Sequence, residues 1–177
     1  IDASTGLVTV PTGGSVAVTL TATITLGSTT DTRDFVITVG LDISTVAAVR
    51  AADYGTQMAV QVVITDLAVD SSGNVVAFAQ DDSAGIYLYK IPAAMAANLQ
   101  VGDLVEITGD RAEYRSLVQM NNFERFVILS TGNNVAPAVL TDPSTAEASQ
   151  GSFVQISGYL REAYTGTPSD YFLVTAS

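Results

Sequence analysis

Cysteine, histidine and tryptophan are all absent from the 177 residues, and lysine occurs once, at Lys90. Without cysteine there are no disulfides and no thiolate metal sites, so an exported chain of this kind must rely on packing. Without histidine the commonest general base, the Ser-His triad and most zinc or copper chemistry are excluded. A carboxylate-only hydrolase or a magnesium enzyme stays open on composition alone. Charge is scarce as well: 14% of residues are charged, against roughly 25% in ordinary soluble domains. Seven basic residues stand against 18 acidic ones, for a formal net charge of −11. Strong binders of phosphate backbones use about 6–10 Lys or Arg contacts, so tight nucleic-acid binding is not expected from seven scattered cations. No apolar run reaches the length of a membrane-spanning helix. There is no signal peptide, and the sequence opens at Ile1 and stops at Ser177 after an apolar run. That is expected of a mature or excised piece of something larger.

What is present is β-forming. Hydrophobic residues make up 47%, and Val, Thr, Ser, Ala and Gly dominate the rest of the pattern. This composition predicts an all-β chain of the sort common in bacterial extracellular modules, secreted or at the cell surface. The length exceeds one small barrel and falls short of two full domains.

The strongest local pattern is Leu99-Gln-Val-Gly-Asp-Leu-Val-Glu-Ile-Thr-Gly109. Gly102-Asp103 turns the chain, Leu104–Thr108 alternates as a strand, and Gly109 ends or bends it. Upstream, Met58, Val60, Val62 and Ile64 alternate in a first strand. The apolar parity then moves to Leu67 and Val69, which predicts a bulge at Asp66. Asp70-Ser-Ser-Gly-Asn74 reads as a tight turn, Val75–Gln80 as the return strand, Asp81–Gly85 as a second turn and Ile86–Lys90 as a third strand. Pro92 opens one or two helical turns reaching about Asn98. After strand four, residues 110–116 read as a loop, and strand five lies between Leu117 and Leu129. Three strands, a small helix and two strands is the order of a five-stranded Greek-key barrel of the OB type, assigned here to residues 42–133.

Residues 1–41 alternate with period two: Leu7–Val10, then Val16–Leu26, then Phe35–Val39, separated by Gly-rich turns. Ser44–Ala52 forms either a short helix capped by Ser44 or an extended lead-in. Residues 134–149 are a Pro-, Ala- and Thr-rich linker, and residues 150–177 carry strand patterns around Phe153 and Tyr171–Thr175, so 134–177 reads as linker plus partial β unit.

Two resemblances attach to these residues. Thr5-Gly-Leu-Val, Val16–Ile24 and Phe35–Val39 resemble the C-terminal part of the atrophied bacterial Ig-like domain, a spacer of secreted and surface proteins. Gln80–Tyr89 followed by Leu99–Gly109 is similar to the OB-fold accessory domains of secreted bacterial nucleases and phosphoesterases. Those proteins join such barrels to an endonuclease/exonuclease/phosphatase-type catalytic domain. The resemblance implies an accessory module that spaces an enzyme or holds its substrate, and whose parent chain carries the catalytic residues elsewhere.

The sequence offers three kinds of candidate site. OB barrels bind oligonucleotides or oligosaccharides on the face of strands two and three, which selects Phe78, Tyr87, Tyr89, Arg111, Tyr114 and Arg115, the rings to stack and the arginines to hold phosphate. Asp66, Asp70, Asp81 and Asp82 could hold Ca2+ if both turns lay at one end of the barrel, although Asp also serves turns directly. Carboxylate pairs such as Asp103 with Glu106, or Glu113 with Glu124, lack a polar surround, so no catalytic residue is assigned. Open strand edges at both ends of the chain invite pairing with another copy. Functionally, a non-catalytic accessory module leads. A stand-alone binder of single-stranded nucleic acid or glycan, and a structural or adhesive surface protein, stand as alternatives.

Overall fold

A computed structural model describes residues 2, 4–162 and 171–174, with 143–144, 159–162 and 171–174 through their backbone only. The chain begins its regular structure with a two-stranded ribbon. β1 (Val16–Leu26) and β2 (Thr29–Val39) pair antiparallel over their full length, from Val16 opposite Val39 to Leu26 opposite Thr29. Thr and β-branched residues in strict alternation produce it, and Gly27 supplies the positive φ its turn needs. Leu7–Val10, expected as a companion strand, is not in a strand; its apolar residues instead lie against the foot of the ribbon, where Val8 meets Val16, Val18 and Val39 around a small cavity.

After β3 (Ile43–Ser44) comes α1 (Val46–Ala51). Thr45, not Ser44, caps it: the Thr45 hydroxyl accepts from the Ala48 amide, because the helix starts one residue later than expected. Val46 and Val49 are completely buried. Their three-residue spacing places both on the face that plugs one end of the barrel, so α1 contributes to the core more than the segment after Pro92 does.

The barrel itself is β4 (Gln57–Val69), β5 (Val75–Gln80), β6 (Gly85–Ile91), β7 (Leu104–Tyr114) and β8 (Leu117–Ser130). Neighbours run β4-β5-β6-β8-β7, and β7 pairs back onto β4 to close the ring. All contacts are antiparallel except β6 with β8. This is the order and direction of an OB-type Greek-key barrel, and closure removes the open edges that a flat sheet would carry. The core is the inward set of those strands: Val60, Val62, Ile64, Ala77, Ala79, Ile86, Leu88, Val105, Ile107 and Met120. Each of the larger side chains among them contributes about 1.5–3 kcal/mol by leaving water, and each alanine about 0.8 kcal/mol.

Bends occur where the pattern predicts some and where it does not. The β4–β5 register shifts between Ile64 and Asp66, at the expected bulge. At Gly109 the strand bends and continues: β7 runs on to Tyr114, and the register with β8 shifts between Thr108 and Asp110. Residues 110–114 are therefore strand, not loop, and only Arg115 and Ser116, both at positive φ, make the turn. A Cβ at Gly109 would press on the Asn121 carbonyl and the Phe123 ring, so glycine permits the fold over. α2 (Ala93–Ala96) is a single turn with Ala93 and Ala94 exposed and only Met95 and Ala96 partly buried.

Beyond the barrel, β9 (Ala138–Leu140) and β10 (Val154–Ile156) pair in parallel, joined through a 3-10 segment at Pro143–Ser149. β11 (Tyr159–Glu162) and β12 (Tyr171–Val174) form an antiparallel pair. The stretch at Gln150–Phe153 docks on the barrel. The Gln150 side chain takes the Val118 amide at 3.1 Å and donates to the Ser116 carbonyl at 2.8 Å. Arg50 of α1 donates to the carbonyls of Gly85 and Gln150, and Gly85 and Gly151 meet backbone to backbone.

Candidate functional site

The pairing of the barrel strands dictates which outward side chains stand side by side. Asp66 of β4 lies opposite Phe78 of β5, Phe78 opposite Tyr87 of β6, Tyr87 beside Gln119 of β8, and Gln119 opposite Ala112 of β7. One row thus crosses the whole ring, with aromatic rings at its centre. Because side chains alternate, Tyr89 joins Tyr87 on the same outer face two residues on. The Phe78 and Tyr87 rings stand 4.9 Å apart, and Tyr87 and Tyr89 stack at 6.2 Å.

These rings floor an open cleft of about 600 Å³. One wall is the β4–β5 turn at Asp70–Ser72; the other is the β7–β8 end, with Glu113, Tyr114 and Leu117. Gln119, 6% exposed, closes the floor beside Tyr87. Burial, with the nearby Asp70 charge, pushes the Tyr87 hydroxyl above its usual range. Lys90 lies with its Nζ 5.2 Å over the Tyr89 ring, and the Arg115 guanidinium lies 5.4 Å over Tyr114.

Of the six residues expected at this face, Phe78, Tyr87, Tyr89 and Tyr114 come together, and Arg115 borders the cleft through Tyr114. Arg111 does not reach it. Beyond the bend at Gly109 it lies opposite the buried Met120, its side chain 11% exposed and bridged to Glu113 at 2.9 Å. Its Nε has no hydrogen-bond partner among the described residues. A two-arginine phosphate clamp is accordingly not formed.

The four aspartates do not converge. Successive hairpin turns fall at opposite ends of the strand they share, so Asp70 and Asp81 are separated by the length of β5 (Val75–Gln80), about 20 Å at the usual rise. Asp66 is exposed in mid-strand and Asp82 is exposed in its turn. Asp70 accepts from the Ser72 and Asn74 amides and the Asn74 side chain. Those bonds, the Asn74 side chain foremost, hold its carboxyl below the usual range. Asp81 accepts from Ser83, Ala84 and the Val46 amide at the start of α1. Burial raises its carboxyl, but these bonds outweigh that and the net direction is down. Among the described residues no group of three or more His, Cys, Asp or Glu is placed to hold a metal.

Asp103 and Glu106 serve the fold. Asp103 is buried and takes the Gln100 amide at 2.8 Å in its own turn. Glu106, 2% exposed, takes the Gly13 amide at 2.6 Å, Gln61 Nε2 at 3.0 Å and Arg125 Nε at 3.2 Å. Burial raises the Glu106 carboxyl, yet the bonds from Gln61 and Gly13 and the Arg125 charge carry it below its ordinary value. By alternation with Val105 and Ile107, Glu106 points outward from its strand, and the Pro11–Gly14 segment crosses there and covers it. Gln119 was missed because a glutamine in a polar-apolar strand carries no mark of its neighbour across a parallel pairing.

No protein-family model matches the chain, and no curated protein matches it. Among solved structures, one described as the hypothetical protein ygiW from E. coli is similar at 18% identity, over 50% of this chain and 90% of that one, with a TM-score of 0.42. The barrel assignment stands on strand order and register rather than on this likeness.

Proposed function

We propose that this chain is a non-catalytic accessory module whose outer aromatic face holds a ring-bearing polymer weakly, in service of an exported multidomain bacterial protein, a nuclease or phosphoesterase. The observation that carries the reading is the ladder Phe78, Tyr87, Tyr89, with Tyr114 walling the same cleft. Half-buried rings side by side, open to the cleft, present π-faces on which bases or sugars stack, for about 1–3 kcal/mol each. The spacing and parentage follow from the resemblance of the Gln80–Gly109 stretch to nuclease-linked barrels, and the ribbon at residues 16–39 would be the remnant of an Ig-like spacer.

The lining chemistry favours a neutral oligosaccharide. Asp70, Glu113, Gln119 and the two serines offer hydrogen-bond partners for hydroxyls, whereas the chain's net charge of −11 repels a polyanion. Single-stranded nucleic acid is the second reading, favoured by Lys90 and Arg115 lying over the rim tyrosines. Titration with neutral oligosaccharides and with single-stranded oligonucleotides, monitored by tyrosine fluorescence, separates them. Sugar binding should be nearly independent of salt, and oligonucleotide binding should weaken steeply as salt rises. Tyr87→Ala should reduce either by about tenfold, the loss of roughly one stacking contact. Failure of both ligand classes to bind the folded chain would refute a holding role.

A further inference from the structure

The β1–β2 ribbon has one apolar face, and only half of it is covered. Directly opposed residues share a face, so Val16, Val18, Leu20, Ala22, Ile24 and Leu26 stand with Val39, Ile37, Phe35, Arg33, Asp31 and Thr29. At the foot, Val8, Thr9 and Pro11 lie over Val16, Val18 and Val39. Among the described residues nothing covers the outer half: Ile24 is 71% and Leu26 83% exposed, with Leu20 and Phe35 at 39% and 48%. A two-stranded ribbon gains little stability in water unless such a face is packed.

We infer that two copies of this chain pack the outer halves of their ribbons face to face, about a two-fold axis passing at Thr23 and Thr32. A two-fold across the ribbon turns each strand back over itself. Leu20 then lies over the partner's Leu26, and Ala22 over the partner's Ile24, so a small residue meets a large one. On the neighbouring strand Arg33 lies over the partner's Asp31, twice in the pair. Those are the only charged side chains of the apolar face's outer half, and they cancel when the face meets itself. An unrelated apolar partner would leave both desolvated and unpaired, which is costly. The overlap runs from Leu20 to Leu26 and from Thr29 to Phe35, the part that Val8–Pro11 leaves open. It spans about 24 Å of strand, which places the contact at the small, reversible end of protein interfaces.

Sedimentation velocity on the whole chain across a wide concentration series tests this. A monomer–dimer equilibrium is expected. Ile24→Lys should weaken it by at least about tenfold, with circular dichroism unchanged. Asp31→Arg and Arg33→Asp should each weaken it too, since each brings like charges together. The double exchange Asp31→Arg/Arg33→Asp should restore association, because the pairs re-form with signs swapped. A chain that stays monomeric at every concentration overturns the inference. So does a dimer that is indifferent to Ile24→Lys, or a double exchange no better than the singles.

Discussion

Replacing Glu106 by glutamine exchanges two acceptor oxygens for one acceptor and one donor without changing the side chain's shape. In the native site Oε2 takes both the Gly13 amide and Gln61 Nε2, and Oε1 takes Arg125 Nε. However the amide turns, its NH2 must face a donor. If it faces Arg125, the ion pair is lost; if it faces Gly13 and Gln61, two donors lose their acceptor. Hydrogen bonds to a charged group are worth about 1.5–3 kcal/mol each. Arg125 keeps access to water, its side chain 22% exposed, so part of its loss is recovered by hydration. The expected cost of Glu106→Gln is therefore about 2–3 kcal/mol, a fall in Tm of about 4–12 °C at this size. The same variant should lose hydrogen-exchange protection at the Gly13 amide while amides of Val62 and Leu88 in the barrel interior keep theirs. Acid supplies a second readout. The folded-state carboxyl lies below its ordinary 4.5, so its contribution is present above that value and is lost as pH falls through the lowered one. Between neutrality and acid, the wild type should lose more stability than Glu106→Gln. Equal melting temperatures, together with an unchanged Gly13 exchange rate, would refute the reading of Glu106 as the anchor of the Pro11–Gly14 segment.

Val49→Ala removes two buried methyl groups from the helix that plugs the barrel, and should cost about 1.5–3 kcal/mol by chemical denaturation. The same change at the exposed Val69 of β4 should cost far less, within about 0.5 kcal/mol. Gly85→Ala should push a Cβ into the Gly151 backbone and detach the Gln150–Phe153 stretch, seen as faster limited proteolysis there with the barrel's own protection kept. Thr45→Ala, which removes the cap of α1, should lower stability by about 1 kcal/mol.

The barrel was legible because its strands obey period two, and because Gly and Asp mark the turns. Even the bulge at Asp66 showed as a change of parity between Ile64 and Leu67. Tertiary contacts were not legible. Glu106 sits on the outer face of an alternating strand, and nothing in Leu104–Gly109 announces that Gly13, ninety-three positions away, lies over it. Arg111 was hidden for a different reason: read as loop, it in fact continues β7 in phase with Val105 and Ile107 and so lies on the inward side, opposite Met120. The aromatic ladder was legible from its alternation, but its flanking Gln119 was not, since the β6–β8 pairing joins segments with no shared turn. The four aspartates misled because an acidic turn looks alike whether its carboxylates face a cation or their own backbone amides.

The closure of the ring is uneven. β6 and β8 are joined through only two residue pairs, Tyr87 with Gln119 and Leu88 with Met120, whereas β7 and β8 run together along most of their length. That narrow joint is the clasp of the hoop, and the aromatic cleft sits astride it. A bound molecule touching both Tyr87 and Gln119 would act as a rivet, so that occupancy and resistance of the cylinder to springing open rise together.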